Sequence, residues 1–305
     1  MAYILCLPAF FFVAGLFSDT EMSPAAFFKR KSLRLLIPYI TFGFLCWLLW
    51  LAISLTHGNE AEDTKWWIPL CGMISGKVEL LVQNRPLWFL CCMVSTEWIY
   101  YVLCRVPYRI MRWCGACVIA ILGCVLGIYE KTGVWEITAA MLMLPVYMAG
   151  AENRTFFRER VNKYSLRLLV MVLILSTIGV FTGYFLNPEF HISTCIVGNP
   201  ILFYLTAFSV VGFWLTITLI ADKCIGTHKW LQYFGQNTMI ILCIHIPLFG
   251  LIKGIGMLCN VLPFSFWTTN IGSIALWAIS LVLLFPISYC INRYLPFLIG
   301  KRVKT

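Results

Sequence analysis

Phe27-Phe28-Lys29-Arg30-Lys31-Ser32-Leu33-Arg34-Leu35-Leu36-Ile37-Pro38-Tyr39 joins a basic cluster to an apolar run that continues without a charge through residue 55. A bilayer core about 30 Å thick needs roughly 20 predominantly apolar residues per helix. The run therefore predicts a membrane-spanning helix with cations at its mouth. Working outward, nine stretches meet or approach that length: 2–17, 34–55, 87–104, 113–129, 137–151, 166–186, 201–220, 238–258 and 271–291. The first and fifth are short, and each contains a proline, Pro8 and Pro145. Neighbouring helices satisfy the backbone groups that such prolines free. The fold class is thus all-α, a polytopic membrane helix bundle.

Composition agrees. Of 305 residues, 61% are hydrophobic and 12% are charged, half the charged share of an ordinary soluble domain. That excludes a water-soluble globule, and the absence of polar tracts or a glycine period excludes disordered and collagen-like chains. The formal charge of +10 resolves into topology. Eighteen Lys and Arg fall in one alternating set of connections and the C-terminal tail, against five (Lys65, Lys77, Arg85, Lys131, Lys253) in the other. The positive-inside rule makes the first set cytoplasmic, including the C-terminus. Nucleic acid is not called for, and the lipid bilayer is the expected partner. Nine spans then put Met1 outside, so either one span is miscounted or a further helix is expected upstream. No repeat or soluble module interrupts residues 1–305, which read as one membrane domain. The polar-leaning segment 57–85, with Trp66 and Trp67, reads as a folded outer loop or interfacial segment.

The basic cluster has two readings. One is an anchor on anionic headgroups, and the other is a phosphate-binding surface, because guanidinium forks fit phosphate oxygens. His245 sits mid-span, just before Pro247, where an ionisable group faces the bundle interior or a cavity. It is either a base or a neutral imidazole bonded between helices. Glu97 is the other intramembrane charge, placed to pair with Arg105 or a headgroup, or to line a polar path. His57, His191 and His228 read as solvated loop residues. Gly123–Gly127 and Gly250–Gly254 have the spacing of close helix contacts. No metal-ligand cluster, nucleotide loop or nucleophile elbow is present in the sequence.

Four segments occur in a telling order: Leu7-Pro8-Ala9-Phe10-Phe11-Phe12-Val13-Ala14-Gly15, the basic segment ending in Pro38-Tyr39, Pro86-Leu87-Trp88-Phe89-Leu90, and Phe234-Gly235-Gln236-Asn237-Thr238 leading to His245. Together they resemble the integral-membrane acyltransferase-3 family, particularly its fucose 4-O-acetylase-like branch. The resemblance implies an O-acetyltransferase of the cell membrane, the inner membrane in a bacterium. Such an enzyme takes an acetyl group from cytoplasmic acetyl-CoA and places it on a sugar hydroxyl of an envelope polysaccharide or glycolipid. It implies that Lys31 and Arg34, with Arg30 beside them, hold the CoA phosphates, and that Trp88 lines the acceptor site. Glu97, from its depth in the span, is a candidate for the acceptor path, and His245, which matches a recurrent family His, is left as the candidate catalytic base. The first span here corresponds to the family's second, and Cys6-Leu7-Pro8 stands at the family's His-Met-Pro position. The helix bearing the family's Arg and His is therefore expected ahead of Met1. Two other readings are a transporter or flippase of lipid-linked sugar and a catalytically inactive remnant. Paired broken helices, the mark of an inverted-repeat carrier, are not found.

Overall fold

A computed structural model describes residues 2–57, 65–129, 132–160, 164–188, 191–226, 228–259 and 264–301. Lys131, Lys163, Arg302, Lys304 and the acidic residues Glu60, Glu62 and Asp63 lie outside these. The described residues are helical nearly throughout, and among them eight helices are long and apolar enough to cross a membrane. The ninth expected span, α1 (Ala2–Leu16), is only 15 residues long. Its rise of about 22 Å falls short of the hydrocarbon core. The multi-pass all-α membrane bundle is otherwise as read from the sequence.

Internal packing divides the chain into two compact units. The first comprises Met1–Pro24 and Cys92–His228, and the second Ala25–Cys91 and Lys229–Thr305.

In the first unit α1 packs on α7 (Ile137–Glu152), which also meets α6 (Arg109–Ile128). The same unit holds most of α5 (Trp88–Leu103), together with α8 (Arg154–Arg160), α9 (Leu166–Leu186) and α10 (Pro200–Ile225). Every residue of α7 from Thr138 to Gly150 is buried. A helix apolar on all sides belongs at the centre of a bundle, with amphipathic or lipid-facing helices around it. Glycine makes the approach of α1 feasible. A Cβ on Gly150 would fall inside the Phe12 carbonyl, and one on Gly15 inside the Tyr147 carbonyl. Small residues letting backbones touch are the usual device of membrane packing. Of the two expected glycine pairs, Gly123 and Gly127 do press against Met141 and Cys195. Gly250 and Gly254 have nothing within 4 Å and are not packing glycines. Gly150→Ala is accordingly expected to lower stability by about 1–3 kcal/mol through overpacking. Gly254→Ala should leave it unchanged or slightly raised. Thermal unfolding in detergent checks the pair, and equal melting temperatures would contradict the assignment.

The second unit is built on α3 (Leu33–His57), α12 (Thr238–Leu258) and α14 (Asn270–Tyr294), with α11 (Lys229–Gln236) leading into α12. The short α2 (Pro24–Phe27) and a π-helical turn, Phe28–Ser32, run straight into α3. The basic cluster is thus part of the helix, which begins ten residues before the expected span. The segment after α3 is folded, as expected, over its described residues. Trp47 Nε1 donates to the Trp66 carbonyl at 2.9 Å. From there α4 (Ile68–Ser75) descends beside α3 until Tyr39 Oη donates to the Met73 carbonyl at 2.8 Å. The chain turns at Gly76, whose φ of 68° is left-handed, and returns until Asn84 Nδ2 lies 3.4 Å from Cys46 Sγ. Trp66 and Asn84 stand level with neighbouring residues of α3, so residues 66–87 form a hairpin laid along that helix. Irregular backbone at membrane depth persists only where protein or a cavity surrounds it.

Candidate functional site

The basic end of the second unit gathers more than the sequence cluster. Arg30 and Arg34 are exposed and Lys31 is half-buried on the π-helical turn and the first residues of α3. A π turn widens the helix by one residue and often accompanies a functional position. The chain after α14 folds back through the 3₁₀ turn Pro296–Ile299. Gly300, with φ 67°, lies close to Ile37 and the Arg34 backbone, where a side chain in that conformation would be strained. Lys301 follows, beside Arg34. Its Nζ donates to Asn292 Oδ1 at 2.7 Å. Asn292 Nδ2 in turn donates to Asn237 Oδ1, and Asn237 Nδ2 to the Tyr233 carbonyl at 2.8 Å. Burial, and then the Arg34 charge, push the Lys301 ammonium below the ordinary lysine range. The sequence of this unit holds four acidic residues, Glu60, Glu62, Asp63 and Glu79, none of them next to the basic cluster in the chain. The end is therefore cationic, and its charge calls for an anionic ligand.

Further along α12, Asn84 Nδ2 donates to the Cys243 carbonyl at 2.7 Å. Asn84 is fully buried and its Oδ1 has no partner. Gln83 is 8% exposed, with both amide atoms unpartnered. Unsatisfied buried groups cost about 1–3 kcal/mol each and are uncommon enough to need a reason. They immediately precede the 3₁₀ turn Arg85–Leu87 and Trp88. Trp88 opens α5, is 4% exposed and packs edge-on against Phe89. Two residues beyond Cys243, His245 is half-buried with its ring edge-on to Phe249. Its Nδ1 lies 2.9 Å from the Ile241 carbonyl. A carbonyl only accepts, so Nδ1 carries the proton and Nε2 of the neutral ring keeps its lone pair. That tautomer suits a proton acceptor. At about 1.5 Å per residue, His245 stands roughly 12 Å along the axis from Asn237 at the basic end.

Glu97 belongs to the first unit, where it is 6% exposed on α5. The expected Arg105 is otherwise engaged. Its guanidinium lies 4.4 Å from the Tyr101 ring centroid and donates to the Tyr101 hydroxyl and, at 3.3 Å, to the Met22 carbonyl. Sequence reading missed two carboxylates of this unit. Glu152 accepts a fork from Arg112 at 2.9 and 3.1 Å, with Arg109 Nε at 3.4 Å. Glu136 is fully buried beside Trp135, and both hold left-handed backbones, φ 51° and 56°. Such conformations cost about 1–3 kcal/mol each in non-glycine residues. Only the residue pair Gly133 and Glu136, just ahead of an apolar run, hinted at this turn.

The structure thus brings Arg30, Lys31 and Arg34 together and adds Lys301, Asn292 and Asn237. It places His245, Asn84 and Gln83 on elements of the same unit, Trp88 beside the hairpin's end, and Glu97 in the other unit. Compared with known proteins, residues 1–293 match a family model described as an acyltransferase domain. No curated protein and no solved structure matches the chain.

Proposed function

The chain belongs to the acyltransferase-3 family and is a multi-pass membrane acyltransferase, and from that premise we propose that it O-acetylates a sugar hydroxyl of an envelope polysaccharide or glycolipid. The donor is acetyl-CoA from the cytoplasm, and the membrane is the cell membrane, the inner one in a bacterium. The observation that carries this reading is the convergence of Arg34 and Lys301 at one end of the unit, with Arg30 and Lys31 on the turn just before Arg34. Arg30, Lys31, Arg34 and Lys301 hold the CoA phosphates, and the pantetheine arm runs along α12 toward His245. Gln83 and the free Asn84 Oδ1 offer a donor and acceptors suited to hydroxyls, with Trp88 beside them on the acceptor path.

In the transfer, the acceptor oxygen attacks the thioester carbonyl. A C–O ester bond forms and the C–S bond breaks. His245 Nε2 takes the hydroxyl proton as the bond forms and passes it to the departing CoA thiolate. No charge is left behind in the bundle.

Lys301 makes the donor half testable. A phosphate beside it restores the ordinary tendency of its amine to stay protonated. Below the free-state pKa of Lys301, CoA affinity should be flat with pH. Above it, each CoA bound must bring a proton to Lys301, so affinity falls as pH rises. Calorimetry in buffers of different ionisation enthalpy should show proton uptake at alkaline pH in the wild type and none in Lys301→Met. CoA binding without uptake would remove Lys301 from the site. No CoA binding at all would overturn the donor assignment.

A further inference from the structure

In the first unit two cavities meet at one short helix. Arg154 and Thr155, which open α8, line a polar cavity of about 280 Å³ with Tyr100, Arg112 and Glu152. The next two residues, Phe156 and Phe157, line an apolar groove of about 370 Å³ with Tyr164, Val172, Leu215 and Leu219. The charges facing the polar cavity are unequal. Glu152 is neutralised by the Arg112 fork, and Arg109 shares one of its oxygens. Asp19 and Glu21 flank Thr20 on the α1–α2 connection, while Arg105 is turned to Tyr101 and Met22. Arg154 gives one N–H to the Ser18 carbonyl at 3.0 Å, is exposed, and so has further donors to offer. At the groove, Lys223 Nζ donates to the carbonyl of Tyr164, which brings a second cation to its rim.

An apolar groove beside a polar cavity whose lining holds Arg112 and Arg154 against the single carboxylate of Glu152 is the imprint of an amphiphile with an anionic head. α8 follows α7 in a basic connection, which the charge distribution places at the cytoplasmic headgroup level. The groove's other walls, Val172, Leu215 and Leu219, stand on the spans α9 and α10. An acyl chain would cover the groove, with its phosphate reaching the donors of Arg154 and Thr155. We propose that this is a binding site for one anionic phospholipid of the cytoplasmic leaflet, its phosphate in the polar cavity and one acyl chain in the groove. This inference does not rest on acyl transfer, and no group of the donor or acceptor half takes part in it.

The test is native mass spectrometry of the full chain in neutral detergent, with palmitoyl-oleoyl phosphatidylglycerol against the phosphatidylcholine of the same chains. The wild type should retain one phosphatidylglycerol, with about a tenfold preference over the choline lipid. Arg154→Glu should abolish that preference while leaving the chain contact. Leu215→Trp, which fills the groove, should weaken both lipids alike. Equal retention of both lipids by the wild type would overturn the proposal whatever the variants do. So would unchanged binding in both variants, or displacement of the lipid by free CoA, which would assign the cavity to the donor.

Discussion

Arg34→Ala is expected to weaken CoA binding roughly a hundredfold, the loss of about 2–3 kcal/mol that follows removal of one member of a hydrogen-bonded charge pair. Arg34 stands on the first turn of α3, against the returning tail, with Lys301 at its side. Its removal takes away a planar fork and one of the four charges proposed to hold the phosphates. Arg34→Lys should recover part of the affinity, since the charge is kept and the bidentate geometry is lost. Lys163→Ala, in another basic connection of the sequence, should change affinity less than about threefold, as the loss of one screened charge outside the cluster does. Calorimetric titration of CoA against the three variants checks the order. Equal effects of Arg34→Ala and Lys163→Ala would mean that the basic cluster is an anchor on lipid headgroups only.

His245→Ala is expected to lower kcat by about 10²–10⁴-fold, the usual contribution of a positioned general base. CoA affinity should stay within about twofold, because the phosphates are held roughly 12 Å away along α12. This split between kcat and binding separates a base from a packing residue. Loss of the hydrogen bond from Nδ1 to Ile241 removes only a contact within the histidine's own helix. His245→Gln, similar in size but unable to take a proton, should be as inactive as the alanine variant. Retained turnover in either would move the base to another residue.

The spans were legible because lipid imposes long apolar runs, and α9 and α12 begin and end where hydropathy puts them. α3 was misplaced at its start for a related reason. Lys and Arg are good helix formers but carry no apolar signal, so the helix continues through the basic cluster unseen. The hairpin escaped because Ile68–Ser75 is only eight residues long, too short to register as a membrane segment. Glycine spacing misled in one case and helped in another. Gly250 and Gly254 share a face that meets nothing, whereas Gly123 and Gly127 press against Met141 and Cys195. In the candidate site, Arg30, Lys31 and Arg34 were readable as one local cluster. Lys301, Asn292 and Asn237 were not, because a hydrogen-bond chain linking α11, α14 and the tail leaves no mark on local sequence. Gln83 and Asn84 look like ordinary loop amides until burial leaves their polar atoms unpartnered.

The most direct measurement follows the acetyl group itself. Purified protein, reconstituted in vesicles, is supplied with acetyl-CoA labelled in the acetyl carbon and with a glycan or glycolipid fraction of the envelope. Label should appear on the acceptor as an alkali-labile ester, with one free CoA thiol released per ester formed. The transfer should be lost in Arg34→Ala at low donor concentration and in His245→Ala at every concentration. CoA bound with no ester formed on any envelope acceptor would contradict the account.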